Sequence, residues 1–277
     1  MTALWRDRRA RFGILVLGGA VLLAIAAPLV TSGPPAAATD LVHTRFLTPL
    51  STDLSGARHW LGTDRLGRDV WAQLLYGARV SLAVGGLSVL LAVVLGTLVG
   101  AIAAWRRGPV GIALLALTDF GLALPRVVLL LLLAAMWQPS ASLVVLLLGF
   151  TGWMAVARLM HGEVRGLAVR PFVDAALSLG APRRRVLWRH ILPNALTPLI
   201  VSAALGVGTA IQLEAGMSFL GLGVQPPTPS WGAMIASGRD TLVNAPWVAT
   251  APGVALVLVS VACAMLGDAM QQNSAGR

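Results

Sequence analysis

Apolar residues run through this chain in unbroken blocks rather than in stripes. Phe12–Val30 spans 19 residues without a charged side chain, Val80–Trp105 26, Ile191–Leu213 23 and Thr241–Gly267 27. A further block, Val127–Ala157, is uncharged for 31 residues, and Gln138-Pro139-Ser140 interrupts it. Proline biases the residue before it away from helix, and these polar side chains favour turns. The first part of that block extends back through Asp119 to about Val110. Roughly 20 helical residues cross a hydrocarbon core about 30 Å thick. The pattern therefore predicts six spanning helices, over 12–30, 80–104, 110–137, 141–160, 194–215 and 243–267. On this reading residues 1–79 hold an N-terminal cytoplasmic segment, the first helix and an outer loop, and residues 80–277 form a five-helix core.

Composition sharpens the picture. Of 277 residues, 57% are hydrophobic and only 12% charged, against about 25% charged in soluble domains. So little charge excludes a secreted enzyme, a cytosolic oxidoreductase and a disordered scaffold. The formal net charge is +10, and all 21 basic residues are arginine. Nucleic-acid binding would need a basic face on a polar domain. Here the arginines cluster between uncharged runs, as membrane proteins place them on the cytoplasmic side. With both termini inside, Arg6, Arg8, Arg9, Arg11, Arg106, Arg107, Arg158, Arg165, Arg170, Arg183, Arg184, Arg185, Arg189 and Arg277 lie inside. Arg45, Arg58, Arg65, Arg68, Arg79 and Arg239 lie outside, diluted by Asp40, Asp53, Asp64 and Asp69, and Arg126 falls within a span. Trp105, Trp137 and Trp247 fall at predicted helix ends, where interfacial belts form. A basic start, an apolar run and Ala36-Ala37-Ala38 also fit a secretory signal, and Arg8-Arg9 a twin-arginine one. The run exceeds a signal core of about 7–15 residues, which favours an uncleaved anchor.

Residues 170–194 carry the densest local information. Asp174 to Leu179 has good helix formers with an acid in the first turn. Gly180 can take the left-handed conformation that closes a helix, Pro182 suits the first turn of a second one, and Pro193 is expected to stop it. Two short helices joined at a glycine make an elbow, and Ala175 and Ala176 would let another surface approach its backbone.

Three charges fall at membrane depth. Asp119 and Arg126 are seven residues apart, on one face of the predicted third helix but roughly 10 Å distant along its axis. Glu214 is expected to close the fifth helix. Such groups face a bundle interior or an aqueous cavity, so Asp119, Arg126 and Glu214 are candidates for a translocation path or subunit contact, with a helix-fixing buried pair as the alternative. Between Gly216 and Gly232, three further features stand together: Gly221 and Gly223, the stiffening Pro226, Pro227 and Pro229, and apolar Met217, Phe219, Leu220 and Leu222. They suggest a re-entrant element covered by protein, with Phe219, Leu220, Gly221 and Trp231 at an outer gate or a protein contact. In 59–79, Arg65, Arg68 and Asp69 interleave with Leu66, Val70, Trp71, Leu74 and Leu75, which reads as an amphipathic interfacial helix.

No G-x-x-x-x-G-K-[ST] phosphate loop occurs. His43, His59, His161 and His190 are scattered without metal-ligand spacing, and no catalytic set is evident. Neither enzymatic activity nor a cofactor is expected. Cys263, alone in an apolar run, reads as an inert packing residue.

Asp174-Ala175-Ala176, with Gly180 six positions after Asp174 and Leu192-Pro193 ending thirteen after Gly180, resembles the EAA loop of ATP-binding-cassette (ABC) importer permeases. Asp174 replaces the usual Glu, and His190 stands where the pattern has an apolar residue. The run Arg189-His190-Ile191-Leu192-Pro193-Asn194 is similar to the peptide and nickel importer branch. Residues 59–82 and 217–232 resemble further signatures of its C-type dipeptide/oligopeptide permeases, so the likeness covers nearly the whole chain. The resemblance implies an all-α polytopic membrane protein of the type I ABC importer permease fold, with six transmembrane helices, in the bacterial inner membrane. It implies that the elbow is a coupling helix seated in an ATPase subunit, with Asp174, Ala175, Ala176 and Gly180 as docking core. Arg183, Arg184 and Arg185 would contact the ATPase or anionic headgroups. Implied partners are a homologous B-type permease, two ATP-binding-cassette subunits that hydrolyse ATP, and an extracytoplasmic substrate-binding protein. Implied cargo is di- and oligopeptides, or nickel, haem or another small solute. A stand-alone secondary transporter would need inverted repeats and denser intramembrane polar groups than these three charges supply.

Overall fold

The computed structural model describes residues 7–31, 33, 35, 43–106 and 108–275. Ala36-Ala37-Ala38, and Arg6, Asp40, Arg107 and Arg277 from the orientation count, lie outside the described residues.

The chain is helical almost throughout. In order it forms α1 (Arg8–Val30), β1 (Ser51–Thr52), β2 (Arg58–His59), α2 (Val70–Trp105), α3 (Pro109–Ala123), α4 (Arg126–Ala134), α5 (Ala141–Ala168), α6 (Pro171–Ser178) and α7 (Arg183–Val186). A π-helical turn (Leu187–Ile191) leads into α8 (Leu192–Phe219), followed by α9 (Trp231–Gly238), a 3-10 turn (Arg239–Thr241) and α10 (Trp247–Ala275). Among the described residues, five helical stretches are long and apolar enough to cross a membrane. They become six when α3 and α4, bent by 85° at their junction, count as one broken span.

That bend corrects the expected single helix over 110–137. Pro125 holds φ −62° and caps α4, while Leu124 before it is extended, because the proline ring crowds out helical geometry at the preceding residue. Asp119 and Arg126 therefore stand on different helices and share no face.

The expected amphipathic helix over 59–79 is also corrected. Residues 58–69 form a compact loop behind the two-residue hairpin β1–β2. Gly62 and Gly67 adopt φ near +70°, and the Asp64 carboxylate accepts from the amides of Leu66 and Arg68, at 2.8 and 2.9 Å, and from Arg68 Nε at 2.7 Å. Such local turns outcompete a helix. Asp69 then caps α2, accepting from the Ala72 amide at 3.1 Å, so the helix starts at Val70 rather than 80, and the expected boundary at residue 79 falls inside it.

Pro193 does not stop its helix. The chain from Arg183 to Phe219 runs on for 37 residues. The π turn routes the Leu192 amide to the Leu187 carbonyl, and this wider turn accommodates a residue with no amide to donate at the start of α8. The last helix starts at Trp247, after Pro246, rather than at 243.

Packing centres on α2 and α5. Gly96 and Gly100, four apart on α2, face Trp153, Val156, Ala157 and Met160 of α5. A Cβ at Gly96 would lie 2.6 Å from the Trp153 carbonyl, so backbone meets backbone as in small-xxx-small membrane contacts. One apolar cluster at this end joins Val156, Met160 and Val164 to Val173, Val186 and Ile191 of the elbow region. A second unites α1, α2, α9 and α10 around Trp231 and Cys263, which is buried as a packing residue.

Candidate functional site

The elbow folds as its punctuation dictates. Pro171 opens α6 and Asp174 lies in its first turn. At its end Gly180 has φ +83°. Its amide donates to the Leu177 carbonyl at 3.0 Å, and that of Ala181 to Ala176 at 3.1 Å. This paired closure satisfies two carbonyls the helix end would otherwise leave bare. Pro182 then accepts from the amides of Arg185 and Val186 and starts α7.

Burial divides the elbow into two faces. Val173 is 1% exposed, and Val186 and Ile191 are fully enclosed, anchoring the element against α2 and α5. Asp174, Ala175 and Gly180 are exposed, and Leu179 is 88% exposed. Ala176 is half-buried and packs on the anchoring cluster, so of the two alanines Ala175 is the one presented. Arg183, Arg184 and Arg185 are exposed. Behind α6, a cavity of about 550 Å³ is lined by Asp174, Arg183, His161, Arg165 and Arg106.

Asp119 and Arg126, expected as neighbours, each have another partner. Arg158 Nη1 on α5 donates to both carboxylate oxygens of Asp119, at 2.7 and 3.0 Å. The pair is half-exposed. Arg126 donates through Nη2 to the Leu148 carbonyl at 3.0 Å and through Nε to Thr151 Oγ1 at 3.2 Å. Gly152 makes room for it. It has no carboxylate partner among the described residues.

Glu214 does not close its helix but lies inside it, with 0% exposure. Its Oε1 accepts from the hydroxyls of Ser218 and Ser230, both at 2.8 Å, and its Oε2 from Ser81 at 3.1 Å. Each serine in turn accepts a backbone amide: Ser218 from Val224, Ser230 from Ala233 and Ser81 from Trp231. One carboxylate thus orients three hydroxyls that hold the loop after α8 and the start of α9. The three serines were absent from the sequence-based site. Ser218, one turn beyond Glu214, was the available signal, whereas Ser81 comes from a distant segment.

The outer candidates separate. α8 ends in the same paired closure as α6, with Gly221 at φ +78° and the Leu222 amide on the Met217 carbonyl. Phe219 and Leu220 are 39% and 59% exposed, and the Arg239 guanidinium lies 5.5 Å from the Phe219 ring centre. Trp231, expected beside them, is 2% exposed and donates its indole N–H to the Leu74 carbonyl at 3.1 Å. It is a packing anchor, enclosed in one apolar cluster with Val70 and Ala78 of α2 and Ile211 of α8.

Residues 96–277 match the family described as binding-protein-dependent transport system inner membrane component. A putative peptide transport system permease protein of Brucella abortus is 38% identical over 97% of this chain and 88% of its own length. The dipeptide transport system permease protein DppC of Alkalihalophilus pseudofirmus is 36% identical, with 96% and 85% covered. Among solved structures, an inward-facing MetNI methionine ABC transporter superposes with a TM-score of 0.59 at 19% identity, over 71% of this chain and 93% of its own. The fold expected from the sequence, an all-α polytopic type I ABC importer permease, is the fold found, and the chain belongs to the family of binding-protein-dependent transport system inner membrane components.

Proposed function

We propose that this chain is one of two homologous permease subunits that together form a path for uptake of di- and oligopeptides, driven by ATP hydrolysis on separate cassette subunits and supplied by an external substrate-binding protein. The elbow carries this reading. It is pinned on one face by Val173, Val186 and Ile191 and presents Asp174, Ala175 and Leu179 on the other. An apolar side chain left 88% exposed beside an acid and a small residue is a surface shaped for a partner. Force applied there passes into α2 and α5 through the buried anchors and into α8 through the continuous helix. With the elbow inside, both termini are cytoplasmic.

The half-exposed Asp119–Arg158 pair and Arg126 need water or protein beside them, since charge at membrane depth is costly in lipid. They mark α3, α4 and α5 as the side that faces the second permease and the path. Glu214 acts on the path indirectly, by fixing α9 and the loop carrying Phe219, Leu220 and Gly221 at the outer mouth. The test is reconstitution of the tagged chain with its copurifying subunits in proteoliposomes. ATP-dependent peptide uptake that requires the binding protein is the expected result. Uptake by the isolated chain without ATP would overturn the division of labour.

A further inference from the structure

Adjoining the Asp174 cavity, with which it shares Trp105, Arg106 and Arg183, a groove of about 590 Å³ runs between α2 and the α7–α8 rod. Its walls are mostly apolar: Leu98 and Ile102 on α2 face Leu187 and Leu192 on the rod, with Thr97 the one uncharged polar side chain among the groove's lining residues. Leu98 and Ile102 are 40% and 38% exposed, so the groove is open at the flank of the spans. At its elbow end stand Arg106, Arg183 and Arg184, with Trp105 and Trp188 beside them. No acidic side chain lines it, and none of the three guanidiniums has an ion pair among the described residues.

We propose that this groove is a binding site for an anionic glycerophospholipid, its phosphate held by Arg106, Arg183 and Arg184 and one acyl chain lying along Leu98, Ile102, Leu187 and Leu192. Three features fit that occupant together. Guanidinium groups match phosphate oxygens with paired, charge-assisted hydrogen bonds. Tryptophans favour the headgroup level, where an apolar ring body meets a polar surface. The apolar length would stay unfilled by a free phosphate, whereas a hydrocarbon chain fills it. Arg106 ends α2 while Arg183 and Arg184 belong to the second arm of the elbow, so the lipid bridges the elbow to the bundle and holds it in register. No residue of α6 lines the groove.

Native mass spectrometry of the intact transporter complex in nanodiscs of phosphatidylglycerol or phosphatidylcholine tests the assignment. The native complex is expected to retain phosphatidylglycerol over phosphatidylcholine by roughly tenfold or more, since each arginine near an anionic headgroup contributes about a fivefold preference. A triple variant, Arg106→Gln with Arg183→Gln and Arg184→Gln, brings that ratio close to parity. Leu98→Trp fills the groove without altering charge and lowers retention of phosphatidylglycerol by a similar factor. Equal retention of the two lipids by the native complex, retention unmoved by Leu98→Trp, or displacement of the lipid by inorganic phosphate alone would each overturn the proposal.

Discussion

Glu214 of α8 and Ser81 of α2, 133 residues apart in sequence, meet at 3.1 Å in the interior of the bundle. Through Ser81 the carboxylate reaches the Trp231 amide, and through Ser218 and Ser230 it reaches those of Val224 and Ala233. Three hydroxyl donors need an acceptor with several lone pairs, which the two carboxyl oxygens supply.

Glu214→Leu is expected to destabilise the subunit by about 2–4 kcal/mol, because it strands three buried hydroxyls and loosens the amides they hold. Glu214→Gln keeps one acceptor but turns two donors toward serine hydroxyls, and falls between. Thermal unfolding in detergent orders the three proteins. Equal midpoints for native and Glu214→Leu would refute the hub.

At Gly180 no neighbour lies within 4 Å of an added Cβ, so backbone conformation alone decides what is tolerated. A β-branched residue at φ +83° costs about 2 kcal/mol, whereas asparagine enters that region readily. Gly180→Val is expected to lower peptide uptake per ATP hydrolysed several-fold, and Gly180→Asn to retain most of it. Parallel assays of uptake and ATPase in proteoliposomes separate the two; identical ratios would remove the turn from the coupling path.

Asp174 is exposed and makes no ion pair among the described residues. Asp174→Arg should therefore leave the thermal midpoint unchanged while uncoupling ATPase activity from uptake. A variant with normal uptake would show that the charge at this position is not read by the motor.

Gly100 packs its Cα face on Ala157 and Met160. Gly100→Val forces the α2 and α5 backbones apart and is expected to cost about 3 kcal/mol, near the upper end for overpacking. Chemical denaturation or thermal aggregation checks this, and a smaller loss than Gly18→Val, where an added Cβ meets nothing within 4 Å, would contradict the contact.

In the loop after β1 the Ser55 hydroxyl, donating at 2.6 Å, holds the Asp53 carboxyl below the ordinary aspartate range. Burial opposes this, and the Ala57 and Ser55 amides and His59 reinforce it. A carboxyl depressed in the folded state contributes stability that is present above its unfolded value and lost as pH falls through the folded one. The protection factors of the Ser55 and Ala57 amides, exchange rates corrected for their intrinsic pH dependence, should fall below about pH 4 and stay flat from there to neutrality. Flat protection throughout would place the loop's stability elsewhere.

The elbow was legible because glycine and proline set its turns within a few residues: Gly180 adopts the positive φ its position called for, and Pro182 opens α7. The break in the third span was harder to read. Pro125 ends α3, yet Pro198 and Pro252 lie inside α8 and α10 without ending them. A proline offers a break, and tertiary packing decides whether it is taken. The partners of the charges were hidden for another reason. Arg158 was counted among cytoplasmic arginines, yet it meets Asp119 across α3 and α5, and such pairings follow from helix placement rather than from local pattern. Trp231 was assigned to the outer mouth by its neighbours in sequence, but the fold turns it inward.

The unbroken helix from Arg183 to Phe219 has a consequence for how the two sides of the bilayer communicate. At 1.5 Å per residue it is roughly 55 Å long, with the arginine arm of the elbow at one tip and the Glu214–serine cluster near the other. Under the coupling proposed above, such a shaft is a crank: a small swing imposed at the elbow reappears at the far tip as a shift of the loop after α8, with no relay of intermediate parts in which the stroke could be lost.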